Sequence, residues 1–176
     1  VVPNYAGYRE FQEKVGDRGL AIAFLSLAGS PAHLLQRELM EMELFFYEIY
    51  DHREEMQRCA ESIGKYFDRV FETVAGCSAE VFMLGANYDA SVTYPPFFVE
   101  HITPWLKRFA DNLHKKGKYL LTHTDGENTG LLDHYLESGF DVADSVCPSP
   151  MTKLTLKQVR GHFNGRISIM GGIPSV

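Results

Sequence analysis

Five times along the chain a short apolar run rich in β-branched residues gives way to a helical pattern. That alternation constrains the fold more than any other feature. The runs are "LAIAFLSL" (20–27), "AEVFMLG" (79–85), "KYLLTH" (118–123), "FDVADSV" (140–146) and "RISIMGG" (166–172). Between them lie "SPAHLLQRELM" with a long segment 42–75, then helical patterns over 95–116, 128–138 and 155–163. Strands alternating with helices of this length predict βαβ units and a parallel sheet. The boundaries have local causes. Ser30-Pro31 is an N-cap and N1 pair, and Asp51 with Glu54 fits a capping box that restarts a helix after "FFYEIY". Gly76, Gly117 and Gly139 stand where helices end, the C′ position.

Two architectures accept five such units. A doubly wound sheet carries a glycine-rich phosphate loop after its first strand, but here that turn is "LSLAGSPAHL", without GxGxxG. The alternative is a (β/α)₈ TIM barrel, of which residues 1–176 supply about five βα units as one partial, single-domain barrel. Five strands at barrel curvature do not close. The chain opens at "VVPNYAGYREF" and stops just after an apparent strand, so the expectation is of further strands at both ends and of a piece that is not an autonomous enzyme. Its first and last strands would expose apolar edges.

Composition narrows the function classes. Among 176 residues, 45% are hydrophobic and 23% charged, as in ordinary globular proteins. The net charge of −6, with no basic cluster, argues against nucleic acid and anionic membrane as partners. No apolar stretch reaches membrane-spanning length. Cys59, Cys77 and Cys147 are scattered without pairing, which fits reduced thiols and a cytoplasmic location.

Polar residues gather at the strand ends. Asn87, Tyr88 and Asp89 follow the second run, and His123, Asp125 and Glu127 end or follow the third. Cys147 follows the fourth, with Asp144 inside it, and "GGIPS" ends the fifth. In a parallel barrel these groups meet at one mouth, where barrel enzymes place their chemistry. His123 and Asp125, two apart in an extended segment, point the same way with Cα atoms about 7 Å apart. That spacing suits a shared metal or substrate, and zinc takes imidazole, carboxylate and thiolate, so Cys147 completes a candidate set. The plainer alternative is a hydrogen-bonded turn at Asp125-Gly126. Asn87, Asp89 and Glu127 are candidates for catalytic and substrate-orienting roles, with Glu127 in a supporting position, and Tyr88 for contact with a cofactor. An Asx turn before "TYPPFF" would use the same residues. The aromatic run "LFFYEIY" (44–50) reads as packing, with Tyr47 or Tyr50 as alternatives for a cofactor pocket, and "DHREEMQR" as a solvated helix face.

Taken in order, these segments resemble the uroporphyrinogen decarboxylase superfamily, which includes corrinoid-dependent methyltransferases. The resemblance runs from about Leu20 to Pro174. It rests on "LSLAGSPAHLLQRELM", "YDHREEMQRCAESI", "GANYDASVTYPPFFVEHITPWLKRF", "KYLLTHTDGENTGLLDHYLESGFDV" and "ISIMGGIPS". It implies a (β/α)₈ barrel and two chemistries. In the methyltransferase branch, zinc held by His-x-Cys and a distant Cys activates a thiol that accepts a methyl group. The carrier is a corrinoid presented by a partner protein. Here His123 matches the histidine and Asp125 stands where the cysteine would be, which places the chain in a His-x-Asp-Gly subgroup. An oxygen ligand there would leave more positive charge on zinc. In the decarboxylase branch, a tetrapyrrole loses carboxylates without a cofactor, and Asp89 or Asp125 would touch the substrate. A third alternative is a barrel that binds without turnover. The leading expectation is metal-assisted methyl transfer to a small acceptor.

Overall fold

The computed structural model describes residues 2–26, 28–74 and 76–173. Five strands form one parallel sheet: β1 (Ile22–Ser26), β2 (Val81–Leu84), β3 (Tyr119–His123), β4 (Val142–Val146) and β5 (Ser168–Gly171). Their order is β1-β2-β3-β4-β5, the order of the chain. A doubly wound sheet reverses its order at a switch point; among the described strands there is no reversal.

All five expected strands form. Pro174 and Ser175 of "GGIPS", and Leu27 at the end of the first run, lie outside the described residues. Every parallel step needs a crossover, and the helices supply it. α2 (Pro31–Leu34) opens at Ser30, whose hydroxyl accepts the His33 N–H at 3.1 Å. It runs on through a widened π turn, Leu35–Leu39. α3 (Met42–Asp51) and α4 (Arg53–Val74) follow, with the break at His52 rather than a cap at Asp51. Asp51 closes α3, and the His52 carbonyl accepts the Met56 N–H that starts the next helix. α5 (Pro95–Phe97) passes through a second π turn, Phe98–Ile102, into α6 (Thr103–His114). α7 (Leu132–Ser138) begins later than the pattern suggested, because Asn128 ties residues 124–128 into a loop instead. α8 (Leu156–Phe163) has the capping box Thr155–Gln158. The sequence pattern did not single out α1 (Ala6–Val15), which has no buried residue. It is held by tyrosine hydroxyls: Tyr5 donates to the Thr73 carbonyl at 2.6 Å and Tyr8 to that of Ala21 at 2.8 Å.

The two sheet faces differ. Ala23, Phe82 and Leu120 are in register, as are Leu84, Thr122 and Ala143, and all six are buried. Against this face pack Phe67, Phe71, Ile102, Leu106 and Phe109 from α4 to α6, with Phe71 and Phe109 stacked 4.1 Å apart. Each such buried ring contributes about 1.5–3 kcal/mol by leaving water. The other face carries Phe24, 57% exposed, Tyr119, 52%, and Met170, 43%. His123 and Asp144 sit at its carboxyl end, so the open face leads directly to the polar strand ends. Among the described residues, no helix is long and apolar enough to cross a membrane.

Candidate functional site

Register brings the first pair together. His123, the last residue of β3, lies opposite Asp144 of β4. The pleat turns both away from the helix layer, because the intervening Thr122 is fully buried on the other side. The His123 Nδ1–H donates to Asp144 Oδ2 at 2.7 Å, with 27% and 13% of the side chains exposed. A carboxylate only accepts, so Nδ1 carries a proton and Nε2 is the ring nitrogen left free of this contact. The Ser145 hydroxyl also donates to Oδ2, at 3.2 Å. Thr124 fixes the strand ends: its N–H and hydroxyl both donate to the Asp144 carbonyl, at 2.8 and 2.9 Å.

The second pair is Cys147 and Asp125. The thiol donates to Asp125 Oδ1 at 2.9 Å. Burial pushes this thiol up, and the hydrogen bond to Asp125 and its charge add to the shift, outweighing the Gly126 N–H. Cys147 is therefore protonated at neutral pH and a poor nucleophile.

Asp89 and Glu127 join loops. Asp89 accepts the Ser91 N–H at 2.8 Å, the Ser91 hydroxyl, and the Glu127 N–H at 3.0 Å. Burial raises its carboxyl, but these donors outweigh burial and hold it below the usual carboxylate range. Glu127 accepts from the Thr129 N–H at 2.9 Å, the Thr129 hydroxyl at 2.5 Å and the Lys153 N–H at 2.9 Å. Its carboxyl is lowered in the same way, against burial. The two carboxylates thus tie the segments after β2, β3 and β4 into one rim, and their oxygens are engaged by backbone rather than turned to a reactant. Gly126 permits the closest approach. At its φ of +117° a side chain is strained, and a Cβ would stand 3.0 Å from Asp89 Cβ and from the Tyr88 carbonyl oxygen.

Tyr88 is not on the mouth surface. It is fully buried, where its hydroxyl bonds to Thr122 Oγ1 at 3.1 Å. Thr122 donates its own proton to the Leu84 carbonyl at 2.8 Å, so Tyr88 is the donor. Its ring stacks on His33, with centroids 5.4 Å apart. The residue expected to meet a cofactor instead anchors the rim from inside the core. Asn87 is half-buried and borders two clefts: one of about 250 Å³ beside Phe24 and His123, and one of about 420 Å³ beside Asp89 and Asp125. A larger cavity of about 650 Å³ lies elsewhere, between α3, α4 and α5, and Tyr50 lines it. Tyr50 and Tyr47 are 82% and 60% exposed, and only Phe45 of that aromatic run is buried. The run is thus not wholly packing: burial by the core selects one face of α3.

The donors expected to hold zinc form two separate contacts, His123 with Asp144 and Cys147 with Asp125. Among the described residues, no three of His, Cys, Asp and Glu stand where they would surround one ion. As placed, they do not fit a preassembled metal centre. Three residues without a functional role in the sequence reading complete the mouth. Asp144 was noted as an acid inside an apolar strand but given no role there. His33 and Gln36, both buried at the start of the first crossover, carried no signal.

The architecture is similar to that of a methyltransferase from Methanosarcina mazei, with a TM-score of 0.69 at 13% identity. The match covers 92% of this chain and 45% of that one, so the chain spans under half the length of that protein. At this identity the likeness is one of fold. No protein-family model and no curated protein matches the sequence.

Proposed function

We propose that the chain forms part of a (β/α)₈ barrel enzyme of the uroporphyrinogen decarboxylase superfamily that transfers a methyl group to a small acceptor. The observation that carries this reading is the His123–Asp144 pair at the carboxyl ends of adjacent parallel strands. Strand order, the open sheet face and the likeness in fold to a methyltransferase support it.

The chemistry follows from the tautomer. In the neutral ring, Asp144 holds Nδ1–H, and the Nε2 lone pair takes the proton of the acceptor's X–H. As X attacks the methyl carbon, the X–CH₃ bond forms and the bond from methyl to donor breaks. The donor keeps that electron pair, and the proton passes to Nε2. Asp144 stabilises the imidazolium that results. The rim built by Asp89, Gly126 and Glu127 positions the acceptor beside it. A corrinoid on a partner protein is the donor that the sequence resemblance implies. Zinc is given no step, because its expected donors pair off instead of converging. The clustered carboxylates of Asp89, Asp125, Asp144 and Glu127 repel a polyanionic tetrapyrrole, which disfavours decarboxylation.

The test uses free methylcobalamin as donor and a panel of small thiols and alcohols as acceptors, following loss of the cobalt–carbon absorbance. Turnover that falls about 10²- to 10⁴-fold in His123→Ala is expected for a general base. A wild-type chain that leaves the donor intact with every acceptor, when assayed within the full-length protein, would overturn the reading. Metal analysis of the same samples adds a second result: zinc near one equivalent, lost in His123→Ala, would mean that the two pairs rearrange around an ion.

A further inference from the structure

The cavity of about 420 Å³ beside Asp89 and Asp125 is lined also by two residues that the methyl-transfer chemistry does not use. His33 and Gln36 line it from the first crossover, 0% and 1% exposed. They stand three apart, a spacing that puts both on one helical face. Gln36 belongs to the π turn Leu35–Leu39, a distortion that frequently accompanies functional sites.

Each side chain makes one bond, and that bond fixes the other end. The Gly29 N–H, which can only donate, reaches His33 Nδ1 at 3.2 Å. The ring proton is therefore on Nε2, which faces no partner among the described residues. Burial, reinforced by the charge of Arg37, pushes this imidazole down to about 3, so it is neutral. Gln36 Nε2 donates to the Val92 carbonyl at 3.2 Å, which leaves Oε1 as the free end, again without a partner among the described residues. The result is one donor and one acceptor, both buried and both unpaired. Such atoms cost about 1–3 kcal/mol each unless something bonds them.

We propose that His33 and Gln36 form a recognition subsite for an uncharged ligand group that both accepts and donates a hydrogen bond, a hydroxyl or a carboxamide. The group accepts from His33 Nε2–H and donates to Gln36 Oε1, after the small side-chain adjustment that binding commonly brings. A carboxylate does not fit. It has no proton for Gln36 Oε1, and Asp89 and Asp125 border the same cavity. An ammonium does not fit either, because it cannot accept from His33. The subsite deepens the methyl-transfer reading by naming the uncharged end of the acceptor, and it rests on that reading only for which molecule is bound.

The test reads binding without a donor or turnover, so it fails separately from the reaction. Acetamide, ethanol and acetate are titrated into the ¹⁵N-labelled chain while the histidine ring ¹H–¹⁵N correlations are followed. The expected result is an Nε2–H tautomer for His33 and a saturable shift of its ring nitrogens with acetamide, ethanol or both. Acetamide alone identifies a carboxamide, and ethanol alone a hydroxyl. Gln36→Leu should weaken the response about tenfold, one hydrogen bond's worth. An Nδ1–H tautomer, no saturable shift with either neutral probe, an equal response to acetate, or an unchanged response in Gln36→Leu would each overturn the proposal.

Discussion

At the scale of single residues, the mouth works by pairing groups so that each settles its neighbour's protonation. Asp144 assigns the His123 tautomer, so Asp144→Asn should cost about 10- to 100-fold in turnover, the usual effect of losing a supporting carboxylate. Burial raises the Cys147 thiol, and Asp125 adds to that shift. Replacing Asp125 by Asn should lower the thiol's pKa and speed alkylation of Cys147 by iodoacetamide several-fold. Peptide mapping must separate Cys147 from the exposed Cys59, and an unchanged rate at Cys147 would mean that Asp125 does not govern it. His33 gives a pH dependence whose sign is fixed. Its folded-state value of about 3 lies below the ordinary 6.5, so between these values the unfolded chain binds more protons. Stability from this group is complete above pH 6.5 and falls as pH drops toward 3, by about 1.4 kcal/mol per unit. His101, also lowered by burial, contributes in the same sense. Urea midpoints from pH 7 to pH 4 should therefore fall less steeply for His33→Asn than for the parent, and equal slopes would contradict the burial of a neutral ring.

At the scale of elements, the rim depends on Gly126. Gly126→Ala combines a left-handed φ with contacts of 3.0 Å to Asp89 and Tyr88. It should destabilise the chain by about 1–3 kcal/mol and weaken turnover by parting the Asp89 and Glu127 loops. A variant with parental stability, measured by urea unfolding, would show that the loops have room to separate. The same elements show what a sequence can reveal. All five strands were legible because a parallel strand covered by helices reads as a nearly unbroken apolar run. The Ser30 cap and the Thr155 helix start were legible because capping is local chemistry. The His52 break was displaced by one residue, since two abutting helices share one turn of backbone and the carbonyl pattern decides it. α1 escaped notice because its anchoring is long-range, through Tyr5 and Tyr8 hydroxyls. At the site, His123, Asp125 and Cys147 were singled out from their place at or after the strand ends, but their pairing was not. Which carboxylate meets which partner is set by register across β3 and β4, and the His33 and Gln36 orphans exist only once Gly29 and Val92 have taken their other ends.

At the scale of the whole molecule, the decisive feature is the asymmetry of the sheet. One face is closed by α4 to α6, while the other leaves Phe24, Tyr119 and Met170 between 43% and 57% exposed. The mouth residues His123 and Asp144 sit at the end of that open face, so whatever covers it also determines how dry the mouth is. In a closed barrel this surface would be the interior, filled by layers of side chains. A contiguous apolar face in water is an association site. The 176-residue chain alone should therefore bind a hydrophobic dye and show concentration-dependent association by sedimentation velocity. Phe24→Ser with Met170→Lys should reduce both signals while leaving the helix-side core intact, because neither residue belongs to that core. In a closed barrel the same pair of substitutions should be strongly destabilising, since both side chains would be buried there. A chain that stays monomeric without binding dye would mean that the open face is a finished surface, and the barrel reading would fall with it.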